Sequence, residues 1–543
     1  MKKTSAVTRA SRSQRAAVSV FLFSSLVGCQ ETPNTGTTVA TTPVTWETCD
    51  DFQMTLSQEW DNDTLPQRSS AEQSWPGQAL GDFNGDGSAD VLMAYGGGSS
   101  LFLGDGTGTL TIWEEATLDG APLPRARAVA AADIDSDGDL DAFLGLYDED
   151  TNQIFMINDG TGHFTSRTIE GSAHVPWGGS FGDLNGDGLL DLYIATYTTA
   201  HTAAPIMAGE VFGTGHGVYF QQTDGTFRRE DSALPAEVDV AVSLQGALID
   251  ADLDGDLDVY MTNDFGPFLL PNRLLLNDGT GHFTVDASCT CDVAMYAMGA
   301  AVGDGNDDGA PDLFVSNIGS PKYLMNLGDG SFADATLSNG SFIAPTPENM
   351  TSWGTTFLDA NLDSCMDIIV VYGRLNSDGA LVMDYESGGE WTEGDEQGDL
   401  LLLGDCAGGF SRAAEDVFHN PLRSRAVAIG DLNADGRPDV IVSGKHFLNV
   451  WLGEGGCAPG LTVALDSGPG NRHGIGASVA VDLGERAVTQ WMLPDTTASS
   501  SQHTLYFGFG GRSHADSVTV TWPDGATEVF ETVEPGTVLN LTR

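Results

Sequence analysis

Residues 183–188 read D-L-N-G-D-G and belong to a nine-residue pattern, D-x-[D/N]-x-D-G-x-x-D, that the chain writes six times in full and once more with serine in place of the glycine. The copies begin at Asp82, Asp133, Asp183, Asp250, Asp304, Asp359 and Asp431, at intervals of 51, 50, 67, 54, 55 and 72 residues. A motif that returns at close to fifty residues predicts a chain of similar structural units, with insertions in the third and the sixth.

Acidic and amide side chains at alternate positions of a tight loop point their oxygens to one side, and glycine permits the sharp bend. The ninth residue brings a further carboxylate back, which makes a hard-oxygen cage of the kind calcium prefers. Carboxylates about 4 Å apart repel by about 4 kcal/mol per pair at an effective dielectric of about 20, so such a loop needs a cation. The predicted ligands are Asp82, Asn84, Asp86 and Asp90; Asp133, Asp135, Asp137 and Asp141; Asp183, Asn185, Asp187 and Asp191; and Asp250, Asp252, Asp254 and Asp258. The remaining three sets are Asp304, Asn306, Asp308 and Asp312; Asp359, Asn361, Asp363 and Asp367; and Asp431, Asn433, Asp435 and Asp439. Up to seven calcium ions are expected, with the sixth site weakest, because Ser364 stands where the other loops have glycine. An EF-hand is the rival pattern, but it requires a glutamate at position twelve on a following helix, where this chain has Met93, Ile194 and Met261.

Each unit repeats one grammar, as in SWPGQALGDFNGDGSADVLMAYGGGSSLFLGDGTGTLTIW, residues 74–113. One apolar run enters the acidic loop, a second leaves it, and a third ends at a glycine-rich turn before a fourth. Four short strands separated by turns describe a propeller blade. The second turn recurs as NDGTGHF at 158 and 277, which makes His163 and His282 turn residues. The last unit holds only three clear strands, and the strand-like TWETCDDFQMTLSQEW, residues 45–60, is available to complete it and close a ring. Cys49 and Cys457 would then lie close enough for a clasp. Cys365 and Cys406 share the sixth unit, and Cys289 and Cys291 form either a local bridge or two separate ones.

The N-terminus points to export. Lys2, Lys3, Arg9, Arg12 and Arg15 precede the apolar run AAVSVFLFSSLV, which is too short to span a bilayer and ends at Gly28-Cys29. LVGC resembles the lipobox of bacterial lipoproteins, which implies a signal peptide over 1–28, lipidation of Cys29, and an outer-membrane or cell-surface location with the lipid as the only membrane contact. A Thr- and Pro-rich tether follows over 29–44. With 77 acidic against 23 basic residues, the formal charge of -54 excludes nucleic acid as a natural partner.

These units resemble the FG-GAP or VCBS repeats of integrin α-chain propellers, which carry calcium loops between the first two strands of each blade. GNRHGIGASVAV at 470, SSSQHTLYFGFG at 499 and DSVTVTWPDG at 516 are similar to the ASPIC and UnbV domain. The resemblance implies an all-β chain: a seven-bladed propeller over 45–458 and a small C-terminal β domain over 459–543. A monomer that binds an extracellular protein or glycan is the expected role. The alternative is an extracellular polysaccharide lyase or hydrolase, which an acid-base cluster in a pocket on one propeller face would favour.

No sequence motif supports chemistry. Gly178-Gly179-Ser180-Phe181-Gly182 fits G-x-S-x-G, but it enters an acidic loop rather than a helix, so a structural strand is expected. His473, beside Arg472, is expected to pack or to form hydrogen bonds. His201 and His216 flank the insertion of the third unit, where a loop could line a binding surface.

Overall fold

The computed structural model describes Cys49 and residues 51–61, 64–65, 76–148, 150–200, 203–337, 350–373, 397–444 and 447–543. The leader, Cys29, the tether and His201 lie outside the described residues. All described residues fall in one compact unit.

Among them, the strands between Gln53 and Glu454 form seven sheets, each containing four antiparallel strands. The first strands, Gly77–Gly81, Ala126–Ala132, Pro176–Gly182, Val242–Ile249, Ala297–Gly303, Ser352–Leu358 and Ser424–Gly430, neighbour one another in chain order. The last of them lies beside the first, so the sheets form a closed ring around an axis. This is the β-propeller. In the seventh sheet the fourth strand is Gln53–Trp60, which pairs antiparallel with Phe447–Glu454.

Burial falls from the axis outward, and the sequence follows it. First strands such as ARAVAAA (126–132) are buried at every position and rich in small residues, because the inner strands crowd the axis. Second strands such as DLYIAT (191–196) are apolar on both faces, since a neighbouring sheet covers each side. Fourth strands such as FSR (410–412) expose polar residues at the rim. The insertion of the third unit carries the short helix Ala203–Met207, and a 3₁₀ turn at Ala236–Val238 lies in the connection from that unit to the next first strand.

Disulfides join Cys49 to Cys457, Cys289 to Cys291 and Cys365 to Cys406. The first ties the entry to the closing strand to the end of the ring.

The C-terminal segment folds into two sheets. Leu505–Gly508, Pro459–Asp466 and Thr537–Thr542 form one, and Ala487–Trp491, Ser478–Asp482, Ala515–Thr521 and Thr527–Val533 form the other. They enclose a shared core that includes Val463, Val479, Phe507, Val518 and Trp522. This domain does not merely follow the propeller. Its hairpin Asp495–Ser500 enters the axis, where Ser500 pairs in parallel with Ala79 of the first inner strand. The Val129 N–H donates to the Ala498 carbonyl, Thr496 Oγ1 donates to the Val427 carbonyl, and Thr497 Oγ1 lies 3.1 Å from Gln245 Oε1. Inner-strand glycines make room for it: a Cβ on Gly77 would sit 2.1 Å from the Ala498 oxygen. The two short strands of this polar run pair with each other, and Ser500 also pairs with Ala79, a partner far away in sequence.

Candidate functional site

In all seven units the acidic loop joins the first strand to the second, and its ninth residue is the first residue of the second strand. The loops therefore share one face of the propeller. Each is a cup whose floor is the ninth-position aspartate, at most 1% exposed in every copy. In six loops the fifth position forms an exposed rim.

The floor does structural duty. One oxygen of each ninth-position carboxylate accepts the N–H of the loop's second residue at 2.8–3.1 Å. The other accepts an N–H from the third strand at 2.7–2.9 Å, for example from Gly104 to Asp90 and from Asn277 to Asp258. The first position accepts the N–H of the sixth residue, as from Gly188 to Asp183 at 2.8 Å. That sixth residue has positive φ, between 80° and 102° for the loop glycines, a conformation in which glycine is unstrained. Ser364 adopts it with φ 75°. The serine is compensated from the C-terminal domain, where Arg486 donates to its Oγ.

Burial pushes the floor carboxyls up, to about 7 at Asp90, Asp312 and Asp439 and to about 8 at Asp141, Asp191 and Asp258. Asp367 is pushed in the same direction by burial and by the neighbouring Asp359 charge. First-position carboxyls follow, reaching about 6 at Asp250, about 7 at Asp304 and about 8 at Asp359, again mainly through burial. Carboxylates in such cups remain ionised when a cation compensates them.

The donor set fits a hard divalent cation. Ligand oxygens of Asp133, Asp135 and Asp141 lie within 4.8 Å of one another, as do those of Asp250, Asp252 and Asp254. Buried Oδ1 atoms of Asp133, Asp250, Asp252 and Asp359 lack a hydrogen-bond donor. In the five loops with asparagine at the third position, three carboxylates do not converge to that distance among the described residues, and the amide oxygen supplies the remaining donor. In the loop at 82, Asn84 Nδ2 donates to Asp86 Oδ2 at 2.9 Å while Asn84 Oδ1 accepts the Asp86 N–H.

The loops also hold the ring together, a role absent from the sequence reading. Asn277 Nδ2 donates to the Leu184 carbonyl, the second residue of the preceding unit's loop, at 2.8 Å. Asn158 reaches Phe83, Gln221 reaches Ile134, and Asn326 reaches Ala251 in the same way. Backbone donors continue the circuit, from Gly408 to Gly305, from Cys457 to Asn361 and from Gly108 to Leu432. Each loop is thus bolted to the next blade. At Asn158 and Asn277 the signal was the Asn before Asp-Gly in the second turn, concealed because Asn there also suits a turn.

The histidines separate clearly. His163 and His282 lie in their turns, each carbonyl accepting an N–H from the aspartate four residues earlier. His216 is not on a binding surface: it is 2% exposed, and its Nδ1 accepts the Thr196 N–H at 3.1 Å. His473 stacks on His503 with ring centroids 4.4 Å apart, and burial pushes it down to about 4. Ser180 lies in a first strand and donates to the Gly246 carbonyl at 2.9 Å. An open hollow of about 660 Å³ is lined by Glu170, His174, Phe227, Arg229 and Asp231. Its polar groups engage each other: Arg229 contacts His174 Nε2 at 3.0 Å and Asp231 at 3.1 Å.

Residues 82–144, 143–194, 250–315 and 304–370 match the FG-GAP-like repeat, and residues 467–543 match ASPIC and UnbV. This is an FG-GAP repeat protein with an ASPIC and UnbV domain. It is similar to cartilage acidic protein 1 of Homo sapiens, 24% identical over 302 residues that cover 50% of this chain and 42% of the relative. The Mus musculus protein is 24% identical over 365 residues, 63% of this chain and 51% of that one. The chain thus spans about half the length of the curated relatives it matches. Among solved structures, an Agrocybe aegerita lectin that recognises non-reducing terminal N-acetylglucosamine aligns with TM-score 0.44 and 17% identity, over 64% of this chain and 81% of the lectin. Rhamnogalacturonan lyase YesW aligns with TM-score 0.35 and 12% identity, over 73% and 75% of the two chains.

Proposed function

We propose that this protein is an exported, lipid-anchored propeller, stiffened by calcium, that binds an extracellular protein or glycan. The observation that carries the reading is the recurrence of one acidic cup at the same place in seven units, with buried carboxylate oxygens left without donors in the fourth and the sixth. The first-, third- and fifth-position side chains would hold the ion, with the floor aspartate beneath them. A bound calcium supplies positive charge that keeps the cup's carboxylates ionised. Because each loop is hydrogen-bonded to the next blade, a loop held in shape also holds the ring in shape.

The C-terminal domain contacts the loop face, so the opposite face is the one left for a partner. There the connections from second to third strand emerge, and in the third and fourth units they carry Phe212 and Phe268, 47% and 43% exposed. Exposed aromatic rings on a rigid scaffold suit protein contact and sugar stacking alike. Export and anchoring rest on LVGC, and Cys29→Ser should abolish lipid labelling. The binding reading is tested by probing a glycan and extracellular-protein array with the purified protein. Binding that Phe212→Ala and Phe268→Ala weaken supports it; binding that both changes leave intact, or no binding at all, refutes this assignment of the face.

A further inference from the structure

The second acidic loop differs from the others in what reaches it. Arg472 Nε, from the C-terminal domain, lies 3.0 Å from Asp133 Oδ2, and the Asp133 side chain is fully buried. Among the described residues, no other first-position carboxylate of the seven loops has such an ion pair. The guanidinium carbon lies 3.9 Å from where a Cβ on Gly138 would stand, so the arginine head rests over the loop's bend.

The arginine is held in place by its own segment. Asn471 Nδ2 donates to the Ile475 carbonyl at 2.7 Å and Asn471 Oδ1 accepts the Ile475 N–H at 2.8 Å, closing the turn that presents Arg472. The Gly470 N–H donates to Ser136 Oγ at 2.9 Å, and the Gly470 carbonyl accepts the Leu190 N–H at 2.9 Å, so the segment is fastened to the second and third loops on either side. Arg167 adds a second guanidinium 3.5 Å from Asp135.

The fourth loop is the natural comparison. It too has aspartate at positions one, three, five, seven and nine, and its Asp250 and Asp252 have buried oxygens without donors, yet no arginine reaches its first position. Two cups of the same composition therefore differ in their source of positive charge.

We propose that Arg472 is the resident cation of the second loop: its guanidinium takes the place that a metal ion takes in the fourth, and this loop serves as one docking socket of the C-terminal domain. The guanidinium sits on Asp133 Oδ2, and a divalent ion held by the same carboxylate through Oδ1 would be repelled by its charge at short range. The proposal rests on reading the loops as cation cages.

The test is calcium stoichiometry, measured by equilibrium dialysis of radioactive calcium against the chelator-stripped full chain. Asp250→Asn should lower the number of bound ions by one, whereas Asp133→Asn should leave it unchanged. Arg472→Gln should raise it by one, and adding Asp133→Asn to that variant should remove the gain. A loss of one ion in Asp133→Asn, or an unchanged count in a folded Arg472→Gln chain, overturns the proposal. The Asp133→Asn comparison decides the matter if Arg472→Gln does not fold. The two readings fail differently. A parent chain that binds no calcium, while Arg472→Gln binds one ion, refutes calcium stiffening and leaves the socket standing; if neither chain binds calcium, both fall.

Discussion

Removing the clasp between Cys49 and Cys457 should cost more than removing either of the other disulfides. The bridge closes a loop of 408 residues, against 41 for Cys365–Cys406 and 2 for Cys289–Cys291. In the chain-entropy model these loops correspond to about 6, about 4 and about 1.2 kcal/mol respectively. Measured values fall below the model for long loops, because the unfolded chain retains structure and native geometry contributes strain. The order should nevertheless survive, since the long bridge also fastens Gln53–Trp60, the strand that completes the seventh sheet. The assay is denaturant unfolding of the Cys49→Ala/Cys457→Ala pair beside the Cys289→Ala/Cys291→Ala pair, with midpoints converted by their slopes. A difference of about 2 kcal/mol or more is expected between the pairs. If the long-bridge variant loses no more than the short-bridge variant, the ring does not depend on this clasp, and the closure argument fails.

Asn277→Ala removes donations to the Leu184 and Leu257 carbonyls and an acceptor for the Gly281 N–H, so it should cost about 1–3 kcal/mol in a thermal or denaturant melt. Asn277→Asp should cost more, because it faces two carbonyl oxygens with a carboxylate; an aspartate variant as stable as the parent would show that the bolt carries no load. Gly77→Ala brings a methyl group within 2.1 Å of the Ala498 carbonyl, so it should destabilise by about 1–3 kcal/mol and raise protease sensitivity of the C-terminal domain; parent-like melting and digestion would mean that the axial hairpin is dispensable. His216, held neutral by burial, is pushed down to about 3 from its ordinary 6.5. The unfolded chain takes up its proton below pH 6.5 while the folded chain refuses it, so this contribution to stability is intact above that pH and declines as pH falls towards 3. Between pH 6.5 and 4.5 the His216→Gln variant should lose about 2–3 kcal/mol less than the parent, and parallel pH profiles would contradict the assignment.

The propeller was legible because its information is local. Each strand's alternation and each acidic loop lie within a few residues of one another, and seven repetitions separate the pattern from chance turns. Cys49 and the strand-like segment at 45–60 were legible for another reason: a last unit with three strands leaves a gap that only the chain's beginning could fill. What stayed hidden depends on distant partners. Arg472 and Asp133 are an ordinary arginine and one of many aspartates until the fold brings them to 3.0 Å. The hairpin Asp495–Ser500 consists of small polar residues common in surface loops, and only inner-strand glycines such as Gly77 and Gly299, far away in sequence, hint that something occupies the axis. His216 misled because an insertion suggests a surface, whereas its tertiary neighbours bury it. The floor aspartates were read as ligands alone, since a spacing pattern does not reveal that both oxygens already accept backbone donors.

The central claim is that the acidic cups hold calcium and thereby stiffen the ring. Ions that bind the folded cups and not the unfolded chain must raise stability with free concentration, and extracellular modules bind calcium at about 10⁻⁴ to 10⁻³ M, so millimolar calcium should fill most sites. The decisive measurement is the melting temperature of the full chain in chelator, in millimolar calcium, and in sodium chloride of matched ionic strength. Calcium should stabilise well beyond sodium chloride, and Asp183→Ala or Asp435→Ala should weaken that response more than Asp363→Ala, whose loop carries Ser364 in place of glycine and is covered by the C-terminal domain. Equal stabilisation by calcium and sodium chloride would contradict the account and leave D-L-N-G-D-G as a turn.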